Sequence, residues 1–254
     1  MPYTSFISAG IQKERTEARN QLSGGFEVFL YNPTWEPCDT RMTIYFEGRE
    51  PHALEKPIHI PPKWSFLQVP GNTAPDVMRD AGFWGARYES SVPMIPILIS
   101  FTGGFGGEGL DASLTGGVTH FLGTDLATLW TLPNSIWRTR PAGVDSNPLA
   151  PPPFNEFEVI YLLNPGPRDA HVTLALQYRN LPAAAVELAV GAERVLAWRN
   201  DGQVAANEPH AVRITSSEPL STSAVRYLHD PAGPAEKGVF VRCGMPAVPG
   251  PINE

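Results

Sequence analysis

The chain writes one segment twice. Phe157–Tyr178, FEVIYLLNPGPRDAHVTLALQY, repeats the plan of Phe26–Phe46, FEVFLYNPTWEPCDTRMTIYF. Each copy is an apolar run ending in Asn-Pro (Asn32-Pro33, Asn164-Pro165), then a short polar turn, an Asp (Asp39, Asp169) and a second, alternating run. Spacing extends the match, with 21 residues from Asp39 to Ile60 and 21 from Asp169 to Val190. Farther on, 86–93 (ARYESSVP) shares Arg, Ser, Ser and Pro with 212–219 (VRITSSEP). Self-similarity on this scale means that one structural unit has been copied.

Period-two alternation (Met42, Ile44, Phe46; Val172, Leu174, Leu176) gives each second run one face toward a core. The 27 Pro and 23 Gly suit turns between short strands and break helices. The expected fold is therefore all-β: two tandem antiparallel β-sandwich domains related by internal duplication, residues 1–124 and 125–254. Pairing Asp39 with Asp169 leaves two mismatches. The turn is seven residues from Asn to Asp in the first copy and five in the second. Phe-Glu-Val also stands one residue closer to Asn in the first, which predicts a bulge in one copy because a one-residue slip reverses a strand's faces.

Around the repeat, Pro61-Pro62 is expected to split 58–69 into two short strands, and 71–82 reads as a loop. Residues 12–21 lack an apolar stripe and read as an exposed loop. The stretch 102–109, TGGFGGEG, carries no lysine and is no phosphate-binding loop, and 145–154 reads as an extended Pro-rich crossing. Residues 129–137 read as a strand, a turn and a strand start, and 211–229 as two strands about Ser-Ser-x-Pro.

A net charge of −7 without any Lys/Arg cluster argues against nucleic-acid binding. Cys38 and Cys243 occupy non-equivalent places in the repeat, so two reduced thiols are expected rather than one bridge. The first twenty residues show no cationic start followed by an apolar run, and no apolar run approaches the roughly 20 residues that span a bilayer. A cytoplasmic protein is the resulting expectation.

Several residues could carry chemistry. Asn32, Asp39, Asn164 and Asp169 bracket turns, where amide and carboxylate side chains bond nearby backbone, and they are assigned a structural role. Arg226, His229 and Asp230 gather a guanidinium, an imidazole and a carboxylate within RYLHDP, a corner suited to a sugar or an acidic partner, or else a surface ion pair. Trp130 and Trp137, with Arg138 and Arg140 beside them, form a candidate stacking platform, against the commoner fate of tryptophan as core. Trp35 is out of place in a hairpin turn and marks a contact surface. The six histidines show no metal-ligand spacing, and no nucleophile elbow or Cys–His neighbour pair is present. No metal, cofactor or catalytic residue is assigned. The acidic residues sit mainly in turns, and a carboxylate pair meeting only in the fold stays open.

The second copy resembles the soluble sensory rhodopsin transducer family. The likeness lies in Leu163-Asn164-Pro165-Gly166, Asp169-Ala170-His171-Val172, Ser217-Glu218-Pro219 with Arg226 seven residues past the proline, and the aromatic strand Trp130–Ile136. It spans most of 126–244 and, more weakly, most of the first half. The resemblance implies a β-sandwich that assembles as a tetramer, binding to a membrane receptor on its cytoplasmic side, and for some members a sugar ligand. A homodimer of a fused pair would supply the same four domains. The first half departs from the pattern, with Ser100 where Arg226 stands, Arg41 in place of His171, and Thr34-Trp35-Glu36-Pro37 at the turn. The expected function is a non-enzymatic binding or signalling protein for a partner or a small polar ligand such as a carbohydrate. The alternatives are a glycan-processing enzyme with a site between the halves, or a structural assembly unit.

Overall fold

The computed structural model describes residues 2–12, 25–68, 70–79, 81–101, 119–122, 125–139, 155–229, 239–246 and 248–249. Its strands in chain order are β1 (Tyr3–Gln12), β2 (Gly25–Tyr31), β3 (Cys38–Phe46), β4 (His52–Ala53), β5 (Ile58–Ile60), β6 (Ser65–Gln68), β7 (Gly82–Ser90), β8 (Ile95–Phe101), β9 (Thr119–Leu122), β10 (Ala127–Ser135), β11 (Asn155–Asn164), β12 (Ala170–Tyr178), β13 (Ala184–Val190), β14 (Arg194–Arg199), β15 (His210–His229), β16 (Val239–Pro246) and β17 (Val248–Pro249). Two short helices, α1 (Pro70–Thr73) and α2 (Pro75–Met78), occupy the stretch expected to be a loop. Proline at the start of each supplies a preset φ where no N–H is needed.

The strands make four layers. The first is β6-β2-β8-β9, and the second is β1-β7-β3-β4 with β5 also on β3. The third is β14-β11-β15-β16 and the fourth β13-β12-β15-β10-β17, joined because the long β15 serves both. Residues 210–220 of β15 pair with β10 and β12, and residues 221–229 pair with β11 and β16. Every one of these pairings is antiparallel. The expected break at Pro219 is therefore bridged by continuous extended backbone, whereas Ser91–Met94 separates β7 from β8. Residues 129–135 likewise run on as strand through Pro133.

The pairing among residues 2–122 recurs among residues 125–246. β1–β7–β3–β5 is matched by β10–β15–β12–β13, and β6–β2–β8–β9 by β14–β11–β15–β16. Asn32 and Asn164 hold matching turns. Asn32 Nδ2 lies within bonding distance of the carbonyls of Glu36 (2.7 Å), Ile60 (3.3 Å) and Pro61 (3.1 Å), while its Oδ1 accepts from Thr34 N–H at 3.0 Å. Asn164 Nδ2 meets the carbonyls of Arg168 (2.7 Å), Val190 (3.3 Å) and Gly191 (3.1 Å), and its Oδ1 accepts from Gly166 N–H at 3.1 Å. Lys63 and Glu193 each take a left-handed φ, 53° and 54°, and donate N–H to Thr34 O and Gly166 O.

This frame corrects the register expected from the sequence. Cys38 pairs with Ile60 and Ala170 with Val190, so Asp39 stands opposite its strand as His171 does, and Asp169 lies outside β12. The N–H groups of Asp39 and His171 confirm the match by donating to Ser91 Oγ and Ser217 Oγ, both at 3.0 Å. Arg41 is thus not the counterpart of His171. No bulge interrupts β2 against β8 or β11 against β15, because the frame is counted from the asparagines and the shared Phe-Glu-Val is out of step.

Apolar clusters tie the layers together in order. Val28, Leu30 and Leu98 of the first layer join Met42, Ile44, Trp84 and Ala86 of the second. Ile160, Leu162 and Trp198 of the third join Val172, Leu174, Val212 and Ile214 of the fourth. Between second and third, Phe6 and Tyr45 pack on Leu163 and Val195, Phe83 meets Tyr161 edge-on at 5.9 Å, and Ser8 Oγ bonds Ser223 Oγ at 2.8 Å. The described part of β11 is consequently buried on both faces, which is why its sequence reads as a nearly continuous apolar run. A Cβ on Gly85 would lie 2.8 Å from Ile7 O and 3.1 Å from Val195 Cγ2, so only glycine permits this approach.

Replacing Asn164 with Ala removes the amide donor facing the carbonyls of Arg168, Val190 and Gly191. Asn164→Ala is expected to cost about 2–4 kcal/mol, and Asn32→Ala a similar amount. A Tm drop of roughly 4–16 °C by differential scanning calorimetry would register it. A drop under about 2 °C would mean the turns do not depend on the amide.

Candidate functional site

A carboxylate in the middle of an apolar strand is the most expensive residue in this fold. Glu158 is fully buried in β11, directly across from Arg226 of β15. Arg226 Nε donates to Glu158 Oε1 at 2.8 Å and Nη2 to the same oxygen at 2.6 Å, while Nη2 also reaches Asn134 O at 2.9 Å. Ile136 N–H adds a third donor to Oε1 at 3.2 Å, and Ser135 Oγ donates to Oε2. Asn200 completes the cluster, its Oδ1 accepting from Glu158 N–H at 2.8 Å and its Nδ2 donating to Ile136 O at 3.2 Å. Burial pushes the Glu158 carboxyl up from the usual range, and Arg226, Ser135 and Ile136 pull against it. The arrangement locks β10, β11 and β15 together, with the Arg226 guanidinium held on Glu158 and on Asn134 O.

Of the other expected site residues among those described, Trp137 and Arg138 lie beside this cluster and the rest lie apart from it. His229 ends β15, its backbone opposite Asn155, and Asp230 and Arg140 lie outside the described residues. Trp130 is 1% exposed in the core and donates Nε1–H toward Ala127 O (3.0 Å) and Leu220 O (3.1 Å). It therefore forms no surface platform. Trp137 is half-buried against both main clusters. Arg138 makes a two-bond bridge with the backbone of Glu156, and its Nη1 stands 2.9 Å from Glu156 Oε2. Asp39 Oδ1 bonds His59 Nδ1 at 2.9 Å, while Asp169 Oδ1 accepts from Ala192 N–H at 2.8 Å, so these two aspartates do different work. Cys38 is buried as a free thiol beside Thr40 Oγ1. Glu156 and Glu158 are exceptions to the reading that acidic residues sit mainly in turns. An acidic side chain inside FEVIYLL was the available signal, since burying it demands a cation.

Exposed aromatic surface lies elsewhere, at the first Asn turn. Trp35 is 82% exposed and Trp64 63% exposed. Their turns are tied by Asn32 N–H to Trp64 O and Lys63 N–H to Thr34 O, both 3.0 Å. Lys63 Nζ stands 4.8 Å from the Trp35 ring centroid and donates to Pro33 O. In the second half the matching places hold Pro167, Glu193 and Arg194, and Arg194 donates to Glu50 of the first half instead. The rim of two tryptophans and a lysine is thus a first-half feature. Among the described residues no three His, Cys, Asp or Glu side chains converge as for a metal ion, and no helix is long and apolar enough to cross a membrane.

No family model matches the sequence, and no curated protein matches it. Among solved structures, the chain is similar to the crystal structure of Thermotoga maritima 1070, with TM-score 0.37 and 14% identity over 48% of this chain and 95% of that one. It is also similar to the Anabaena sensory rhodopsin transducer, with TM-score 0.32 and 24% identity over 39% of this chain and 85% of that one.

Two outcomes test the buried cluster. Arg226→Met alone strands a carboxylate in the core and should cost about 3–5 kcal/mol, whereas Arg226→Met with Glu158→Leu should recover most of it. Urea titration at neutral pH separates the two, and equal instability of single and double variants would refute the pairing argument. His210, buried against Tyr178 with Nδ1 3.0 Å from Glu208 O, has its pKa lowered below 6.5 chiefly by burial. The unfolded chain then binds its proton first, so this contribution is intact above about pH 6.5 and lost as pH falls through that value. His210→Gln should flatten the decline in Tm between about pH 7.5 and 5.5.

Proposed function

We propose that this chain is a non-enzymatic recognition protein of two tandem β-sandwich units, residues 1–124 and 125–254, related by internal duplication. The recurrent strand pairing and the matching Asn32 and Asn164 turns support that reading. The ligand-facing part is the rim formed by Trp35, Lys63 and Trp64, and the ligand class is a carbohydrate, with sugar acids favoured. The observation that carries the proposal is the pair of indoles held in solvent beside an ammonium group. Indole faces bind the apolar faces of sugar rings, and the lysine supplies a cation for a carboxylate. Leaving two tryptophans uncovered has no packing rationale on a surface turn.

Titration of the protein with neutral sugars and sugar acids, followed by tryptophan emission and thermal shift, is the test. A saturable response to at least one sugar acid is expected, weakened at least tenfold in Trp35→Ala and in Lys63→Gln. Binding that survives both substitutions, the lack of any response, or release of product from glycoside substrates would overturn the assignment.

A further inference from the structure

We infer that the outer face of the first layer is the surface through which two copies of this chain assemble, face to face about a two-fold axis. The face adjoins the tryptophan rim, with Ser65 following Trp64 and Tyr31 preceding the Asn32 turn. The face carries two cross-strand rows, Leu67–Phe29–Ile97 and Ser65–Tyr31–Ile95. Their alternates Val28, Leu30 and Leu98 point into the core, so these rows point away from it. Leu67 is 44% and Ile95 38% exposed, and Phe29, Tyr31 and Ile97 are only part-buried. Glu27 closes the apolar patch at the far end of β2.

What covers such a face is shown inside the same chain. The corresponding rows of the third layer are Ala197–Tyr161–Ser223 and Val195–Leu163–Ser221. There Leu163 and Val195 pack on Phe6 and Tyr45, Tyr161 meets Phe83, and Ser223 bonds Ser8. The covered face is thus the more polar one, with Ser221 and Ser223 where the uncovered face places Ile95 and Ile97. Leaving the more apolar of two equivalent faces in water runs against the larger desolvation gain.

The identity of the cover follows from the other end of the stack. Head-to-tail growth would set the fourth layer's outer face of another copy on these rows, repeating the second-to-third-layer contact. That face lacks the needed features. Gln177 takes the place of Tyr45, Thr131 that of Phe6, and Ala211 that of the obligatory Gly85. A polar face cannot repeat the seam, so open-ended assembly is blocked and the apolar face is left to meet its own copy. Such a contact is isologous and closes at two chains.

Light scattering and sedimentation equilibrium over about a hundredfold concentration range should give twice the 27.7 kDa chain mass and nothing larger. Ile97→Asp and, separately, Leu67→Lys should shift the protein to monomer with an unchanged far-ultraviolet strand spectrum. Gln177→Lys on the fourth layer should leave the dimer intact. A wild-type monomer at every concentration overturns the inference. So does a dimer indifferent to both face substitutions, or growth beyond two chains. Loss of the dimer in Ile97→Asp with sugar response retained would uphold this inference independently of the rim, and a wild-type monomer that still binds sugar would sink this one alone.

Discussion

The seam between the second and third layers is the contact on which the described fold rests. Layers one and two share a core, and so do layers three and four, but the third layer is finished only when the second covers it. Tyr161, Leu163 and Val195 would otherwise present an apolar strip at the centre of the molecule. At about 25 cal/mol per Å² of apolar surface removed from water, such strips dominate the energetics of sheet packing. Gly85 sets how closely the two layers approach, and Ser8 with Ser223 satisfies the polar atoms trapped at that depth. The halves are coupled by the same desolvation that builds each of them.

Much of this was legible in the sequence, and the failures have physical causes. The asparagines marked the two matching turns because in each one the amide NH2 lies within bonding reach of three carbonyls. The Ser-Ser-x-Pro match survived for a similar reason, since Ser91 and Ser217 each bond the backbone of the neighbouring strand. Asp39 and Asp169 misled because identical letters in adjacent turns serve different partners, and only ladder register separates them. The partner of Arg226 lay in plain view as Glu158, yet a strand pairing across 68 residues is needed to join them. Trp130 read as a surface candidate from its arginine neighbours, but strand alternation turns it inward while Arg138 stays half outside.

The two halves keep their frame and differ at their corners. Where Glu158 faces Arg226, the first half places Phe26 opposite Ser100, so the buried ion pair is no requirement of the fold. Buried pairs of this kind add little net stability and make removal of either member costly. Where Arg194 reaches Glu50, the first half displays Trp64. One position thus serves contact between halves in one unit and faces solvent in the other.

The both-sided burial of the third layer also bears on how the chain is made. The ribosome finishes β7 and β3 long before it delivers β15, whose sequence ends at His229. At translation rates of about 5–20 residues per second, the second layer waits on the order of ten seconds for its cover. During that interval Phe6, Tyr45 and Phe83 form an adhesive nascent surface, the kind that chaperones bind. Slowing or pausing synthesis between the halves would lengthen that exposure, and with it the chance that two nascent chains trade their layers.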